Sequence, residues 1–209
     1  MKNFFAYDPK LLIYGFLIVF FASYGQTFFI SLFNTEIRFY YGLTDGEFGF
    51  VYAISTLCSS FILISFAKLI DHIDLRAYSL IVTIGLLLAC IGMVIMFNNI
   101  IYLFIIIFML RFFGQGAMTH AGETTMARYF GNNRGKALSV ATLGGMSGVM
   151  FLPYIMLNYL KDIEIKQLWV YASISIIVFI PFIFIALSDQ KARHNKFDQA
   201  LIDDPFNLK

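Results

Sequence analysis

Three ionisable side chains lie within one long apolar stretch of this sequence, where an electric charge is costly. The stretch covers residues 100–127 and contains Arg111, His120 and Glu123. Inserting an ionised side chain into the centre of a membrane helix costs roughly 3 kcal/mol, and such residues usually face the protein interior or water. The pattern therefore predicts a helix that lines an interior or water-filled cavity.

Helical phase divides the polar residues of this stretch between two faces. At about 100° per residue, Arg111 and Gln115 lie on one face, whereas His120 and Glu123 lie on another. We expect Arg111 and Gln115 to face the cavity, where the guanidinium would attract an anion; the alternative is a structural ion pair or a carbonyl clamp. His120 and Glu123, three residues apart, either share a proton or bond to nearby loops.

Hydroxyl groups recur with helical spacing in the first apolar stretch. Tyr24, Thr27 and Ser31 fall at i, i+3 and i+7, so an uninterrupted helix would present them on one face. We predict that this face also lines the cavity. Hydrogen bonds between helices, or with the membrane interface, are the alternative explanation.

The fifth apolar stretch is rich in glycine. Gly144 and Gly148 form a GxxxG spacing, which allows a neighbouring helix to approach closely. The overlapping segment Gly145-Met146-Ser147-Gly148 matches the GxSG pattern of rhomboid-type intramembrane serine proteases, with His120 as a conceivable partner. Such enzymes take their histidine from the sixth helix, and the sixth stretch here contains none, so we expect no enzyme activity.

The composition predicts the elements that hold these residues. Hydrophobic residues make up 59% of the 209-residue chain and charged residues only 13%, against about 25% charged residues in a soluble domain. Each apolar block reaches the roughly 20 residues that a helix needs to cross a membrane, and lipid permits only helices for such segments. The six blocks are Leu11–Phe33, Phe48–Ala67, Ala77–Phe97, Ile100–Ala127, Ala137–Leu160 and Leu168–Leu187.

The distribution of basic residues predicts the orientation of these helices. If the N-terminus is cytoplasmic, only Arg38, Lys161 and Lys166 of the 15 Lys and Arg residues fall outside the cell, while Arg111 lies within a helix. Such a bias follows the positive-inside rule. We therefore expect a multi-pass protein of the cytoplasmic (inner) membrane with both termini in the cytoplasm.

The remaining features define the domains and exclude some classes of partner. Residues 1–187 are predicted to form the membrane bundle, and residues 188–209 a cytoplasmic tail or linker, because that segment loses its hydrophobic periodicity.

Cys58 and Cys90 lie inside apolar blocks, so no disulfide is expected. No motif for a metal, nucleotide or haem is present, and we expect no cofactor and no nucleic-acid partner. Trp169 is expected to anchor the sixth helix at the interface.

Two segments resemble motifs of the major facilitator superfamily. The loop Ala67–Arg76 resembles the Gly-x-x-x-Asp-Arg-x-Gly-Arg-Arg pattern, with Asp71 at its acidic position and Arg76 at its last basic one, although the other positions are substituted. The segment Arg111-x-x-Gly114-x-Gly116 resembles the arginine motif of the fourth helix. A basic segment containing Arg134 and a glycine-rich fifth helix follow, in an order similar to the monocarboxylate and oxalate/formate branches.

This resemblance implies an all-α membrane protein that forms the N-terminal six-helix half of a 6+6 bundle. The solute would bind between the two halves, which rock about it to give alternating access. Helices one and four would line the cavity, and Arg111 would serve substrate binding or proton coupling. Asp71, Arg76 and Arg134 would belong to the cytoplasmic gate.

The number of helices is the main departure from this family, whose members have twelve spans. We expect a truncated frame, one half of a split transporter with a second six-helix half, or a homodimer, and we favour truncation. The predicted function is a secondary active transporter, or half of one, for a small organic solute such as a carboxylate with proton symport. A non-catalytic membrane subunit, an inactive remnant and a rhomboid-like protease are the alternatives.

Overall fold

The computed structural model describes residues 2–5, 7–159 and 164–203, and all regular structure in these ranges is helical. Within these described ranges, six helices are long and apolar enough to cross a membrane. These spans, numbered first to sixth, are Pro9–Ser31, Asp45–Asp71, Leu75–Ile95, Ile100–Tyr129, Gly131–Met156 and Ile165–Ala186. They overlap the six apolar blocks of the sequence, which confirms the prediction of an all-α protein with six spans.

Several spans are built from more than one helical segment. The α-helices are Lys2–Phe5, Pro9–Ala22, Thr27–Ser31, Asn34–Tyr41, Asp45–Ala67, Leu75–Ile95, Ile100–Met109, Thr119–Tyr129, Arg134–Tyr159, Ile165–Ala186 and Gln190–Asp203. Short 3₁₀ turns cover Ser23–Gly25, Lys68–Asp71 and Gly131–Asn133. A π-helical segment, Leu110–Met118, lies inside the fourth span.

Polar side chains determine where the spans begin. Asp8 accepts a hydrogen bond from the Leu11 N–H just before Pro9, and Asn99 accepts from the N–H groups of Ile101 and Tyr102. At the start of the second span, Thr44 and Glu47 form a reciprocal capping box. These caps satisfy N–H groups that have no partner within the helix, so the first, second and fourth spans have defined starts.

The first and fourth spans both depart from α-helical geometry, and they do so where they meet. The first span is interrupted by the Ser23–Gly25 turn and by Gln26, whose backbone is extended. A Cβ atom on Gly114 would lie 2.7 Å from the Cα atom of Gly25, and one on Gly25 would overlap the Leu110 carbonyl oxygen. The two interruptions are therefore packed backbone against backbone, which only glycine permits at these positions.

The six spans differ strongly in how much of their surface the bundle covers. Within the most hydrophobic window of each, 56% of the residues of the first and third spans are buried, against 17% for the second and 22% for the fifth. The fifth span packs on the first, where a Cβ on Gly144 would overlap the carbonyl oxygen of Phe16. The GxxxG spacing thus mediates a close approach inside the bundle, while most of the second and fifth spans remains uncovered.

Trp169, near the start of the sixth span, does not face the lipid as an interfacial anchor would. Its side chain is fully buried, and its ring contacts those of Phe29 and Phe33 at centroid distances of 5.4 and 5.3 Å. The indole does not contact lipid as an anchor would, because the rings of Phe29 in the first span and Phe33 just after it pack against it inside the bundle.

The segment after the sixth span, predicted as a tail or linker, forms an α-helix over Gln190–Asp203, here called the tail helix. Arg193 donates from Nε and Nη2 to the two carboxylate oxygens of Asp8, at 2.5 and 2.9 Å. Lys10 forms an exposed ion pair with Asp189, and its hydrogen bond and positive charge lower the pKa of that carboxyl. The tail helix is thereby attached to the start of the first span.

Asp8→Asn is expected to loosen the tail helix, because Arg193 would keep its charge without a counter-charge and both side chains are largely buried, at 10% and 19% exposure. Amide hydrogen exchange of residues 190–203 should accelerate about tenfold or more. Lys10→Gln is the control, since exposed pairs contribute little to stability. Unchanged exchange in Asp8→Asn would show that the pair does not hold the helix.

Candidate functional site

Arg111 lies between three spans and forms hydrogen bonds to two of them. Its Nε donates to Thr56 Oγ1 of the second span at 3.2 Å. Its Nη1 donates to the Gly25 carbonyl oxygen at 3.3 Å and to Thr27 Oγ1 at 3.0 Å, both in the first span. The interruption of the first span at Ser23–Gln26 exposes the Gly25 carbonyl for this bond, because it does not continue the α-helical ladder.

The surroundings of the guanidinium are polar but neutral. Its carbon atom lies 5.3 Å from the centroid of the Tyr52 ring, and the Tyr52 hydroxyl donates to Thr27 Oγ1 at 3.0 Å. Among the described residues, no carboxylate forms an ion pair with Arg111, although the side chain is only 6% exposed. A charge held in this way attracts an anion strongly, since little water screens it.

One edge of this site is open. Thr27, which touches the guanidinium, is exposed, while Tyr52, Thr56 and Gln115 are each partly exposed. Within the described part of the chain, Arg111 donates hydrogen bonds from Nε and Nη1 but not from Nη2. We call Arg111, Thr27, Thr56 and Tyr52 the arginine site.

Gln115 is near this site but does not complete it. Its Oε1 atom is buried and has no hydrogen-bond partner among the described residues. A buried amide oxygen without a partner costs roughly 1–3 kcal/mol. It can accept from a ligand's donor group only when a neighbouring side chain moves and uncovers it.

The first-span residues predicted to share one face are separated by the interruption at Gln26. Thr27 joins the arginine site, but the Tyr24 hydroxyl bonds to Ser175 Oγ of the sixth span at 2.9 Å. Ser31 donates to the Phe28 carbonyl oxygen at 2.9 Å within its own helix. The structure thus brings only Thr27 of these three to Arg111.

Thr56 and Tyr52 were missed in the sequence, although both contact Arg111. They lie four residues apart on the second span, so they share one helical face. A polar i, i+4 pair in a lipid-facing helix is the signal that would have found them. Gly25 was also missed, since a backbone carbonyl leaves no mark in a pattern of side chains.

His120 and Glu123 lie in a different place from the arginine site. A cavity of about 270 Å³ between the first, fourth and fifth spans is lined by Glu123, Gln26, Ser23 and Thr142, together with apolar side chains. The Ser23 hydroxyl oxygen is buried there without a hydrogen-bond partner among the described residues. We call this space the glutamate cavity. His120 contacts Thr124 Oγ1 at 3.3 Å and is not part of the cavity's lining.

The predicted gate residues lie at the end of the bundle where the first span begins, here called the basic end. Asp71 pairs with Arg128 of the fourth span. Arg76 donates to the Leu187 carbonyl oxygen at 2.6 Å, at the end of the sixth span. Arg134 is exposed at the start of the fifth span, apart from both contacts. Arg128 was not predicted as a partner of Asp71, because the sequence alone does not show that the end of the fourth span lies beside the end of the second.

The geometry of the GxSG segment does not resemble a hydrolase site. Ser147 donates its hydroxyl to the Leu143 carbonyl oxygen at 2.7 Å, one turn earlier in the same helix. His120 has its hydroxyl contact with Thr124 instead. The described residues therefore do not pair this serine with a base.

Comparison with known proteins identifies one family. The family model described as Major Facilitator Superfamily matches residues 15–205, which is most of the chain. No curated protein and no solved structure matches the chain. The match includes the first span from Gly15 onward, the other five spans and the tail helix, and therefore both polar sites.

Proposed function

Because the chain belongs to the major facilitator superfamily, a family of membrane transporters for small solutes, we propose that it is the N-terminal half of a secondary transporter for a small organic anion. The observation that carries this proposal is the Arg111 guanidinium, held by neutral oxygens without a carboxylate counter-charge. A buried charge in that state is costly unless a ligand of opposite sign visits it.

A carboxylate is the anion that this site favours. Hydrogen bonds from a charged guanidinium to a carboxylate are strong, and Nη2 is not used in the bonds that hold Nε and Nη1, so its N–H groups can donate to a carboxylate oxygen. The hydroxyls of Thr27 and Tyr52 stand beside it as further polar partners, and Gln115 follows four residues later on the fourth span. The proposed solute therefore carries one carboxylate and at least one hydrogen-bonding group.

A second six-helix bundle would complete the carrier. The second and fifth spans are the least covered of the six and expose large apolar side chains, including Phe50, Phe61, Met150 and Tyr154. Another bundle packed there would enclose the arginine site, and rocking of the two bundles would open it to either side of the membrane. The basic end would face the cytoplasm, as the excess of Lys and Arg at that end favours.

The glutamate cavity is the proposed site of proton coupling. Glu123 forms no ion pair among the described residues, and the hydroxyl of Ser23 and the amide of Gln26 line the same space. These groups can bond to the carboxyl group in both its protonated and its ionised form. The two polar sites lie on either side of the interruption in the first span, which offers a physical link between them.

Glu123→Gln is expected to abolish the acceleration of uptake by an inward pH gradient, because glutamine mimics the protonated carboxyl permanently. Exchange of labelled solute across membranes without a gradient should continue at a comparable rate. Uptake that still responds to the pH gradient would place coupling elsewhere. Glu36→Gln, at an exposed residue outside the spans, serves as the control.

The function itself is tested by uptake into cells that express the chain, alone and together with candidate second halves. Labelled mono- and dicarboxylates, a sugar and a basic amino acid form the panel. The proposal predicts accumulation of at least one carboxylate and of neither other solute. Uptake confined to the sugar or the basic amino acid would contradict it.

A further inference from the structure

The basic end of the bundle contains a second charged region that the transport proposal does not use. Two adjoining cavities, of about 240 and 540 Å³, share Arg128, Gly131 and Phe197 in their linings. The smaller is also lined by Tyr7, Asp8, Arg193 and Lys196, and the larger by Thr124, Ala127, Asn132 and Arg134. We call the two together the basic cleft.

Cations outnumber carboxylates in this cleft. Asp8 neutralises Arg193, and Asp71, just outside the cleft, neutralises Arg128. Arg134 and Lys196 are exposed and form no ion pair among the described residues. They come from the start of the fifth span and from the tail helix, and they line the two adjoining cavities of the cleft, Arg134 the larger and Lys196 the smaller.

The position of the cleft identifies the kind of anion. It lies where the fourth span ends at Tyr129 and the fifth begins at Gly131, which is the depth of lipid headgroups for a spanning helix. Beside it, Tyr7 is 69% and Phe5 57% exposed. Exposed aromatic rings at span ends are typical of contact with the lipid interface.

Aromatic contacts fix both walls of the cleft. Phe130, at the junction of the fourth and fifth spans, contacts the rings of Phe4 and Tyr7 at centroid distances of 5.9 and 5.8 Å. On the other side, Tyr129 contacts Phe197 of the tail helix at 5.9 Å. The cleft is therefore a built feature, formed when the N-terminal segment and the tail helix both pack on the fourth span.

We propose that the basic cleft binds the phosphate headgroup of an anionic phospholipid from the leaflet at the basic end. Arg134 and Lys196 contact the phosphate, while the acyl chains lie over Phe5 and Tyr7. The bound lipid links the tail helix to the start of the fifth span. This site is separate from the arginine site and does not depend on which solute is carried.

Native mass spectrometry of the full chain, released from zwitterionic detergent, tests the proposal with phosphatidylglycerol as the probe. Phosphatidylglycerol should stay bound more tightly than phosphatidylcholine, and added salt should weaken it. Arg134→Gln combined with Lys196→Gln should reduce its affinity by about tenfold or more. Lys68→Gln combined with Lys191→Gln removes the same charge from exposed positions outside the cleft and should leave the affinity within about twofold.

Three outcomes would overturn the assignment. Equal retention of phosphatidylcholine would show that the cations do not select the headgroup. Complete competition by millimolar inorganic phosphate would show a site for a soluble anion instead of a lipid. An equal loss of affinity in both double variants would show that net charge, and not the cleft, attracts the lipid.

Discussion

Arg111→Ala is expected to reduce carboxylate uptake about 100-fold or more, to the background of untransfected cells. Truncating one member of a buried, hydrogen-bonded charge pair costs about 2–5 kcal/mol, which corresponds to that loss of affinity. Arg111 is the only cationic residue among those that define the arginine site, so no other member of the site replaces its charge. Initial rates of labelled carboxylate uptake, normalised to the amount of protein in the membrane, provide the measurement.

Arg111→Lys distinguishes charge from geometry in the same assay. A lysine keeps the charge, but its three N–H groups cannot donate to Thr56, Gly25 and Thr27 and also to a carboxylate. We expect it to recover only a small part of the uptake. Arg38→Gln is the matched control, because Arg38 pairs with Asp45 outside the arginine site. Uptake that persists in Arg111→Ala would remove Arg111 from solute binding.

Gly25→Ala is expected to destabilise the bundle and to abolish transport together. The added methyl group would overlap the Leu110 carbonyl oxygen and would lie 2.7 Å from the Gly114 Cα atom, so backbone must move on one side. Overpacking of this kind costs about 1–3 kcal/mol. The shift would also displace the Gly25 carbonyl that accepts from Arg111. Thermal unfolding in detergent and uptake at low temperature measure the two effects separately.

Gly49→Ala is the matched control, since a Cβ at Gly49 meets nothing within 4 Å in the described structure. Its unfolding temperature in detergent should equal that of the unchanged protein. If Gly25→Ala also unfolds at that temperature, the backbone contact between the first and fourth spans is looser than its geometry implies.

The spans could be predicted from the sequence because lipid sets a simple requirement. A helix must supply about 20 apolar residues to cross the core, and six segments do so. Arg111 could be predicted for the same reason, as a charge that lipid alone would not tolerate. Both predictions depend only on the apolar character of lipid, and neither requires knowledge of the tertiary fold.

The partners of Arg111 could not be predicted in this way. A membrane helix carries apolar side chains on all of its faces, so its hydrophobic pattern gives little information about which face meets which neighbouring helix. The phase argument also assumed an unbroken α-helix, whereas the fourth span is π-helical over Leu110–Met118 and the first is interrupted at Gln26. The separation of Tyr24 from Thr27 follows directly from that interruption.

The tail helix escaped prediction for a different reason. Its sequence has no apolar stripe, and its attachment depends on the Asp8–Arg193 pair, which joins residues at opposite ends of the sequence. Such a contact has no local signal. The attachment of the tail helix by the Asp8–Arg193 pair also forms the basic cleft, because the cleft requires the tail helix to pack beside the fourth span.

The most direct test of the account is whether water and solute reach Thr27 beside Arg111. In a background with Cys58→Ala and Cys90→Ala, Thr27→Cys should react with a membrane-impermeant, negatively charged thiol reagent, and a transported carboxylate should slow that reaction. Leu88→Cys, on a 53% exposed residue of the third span, should not react because it faces lipid. If Thr27→Cys is as unreactive as Leu88→Cys, the guanidinium is sealed from water and the proposed anion site is contradicted.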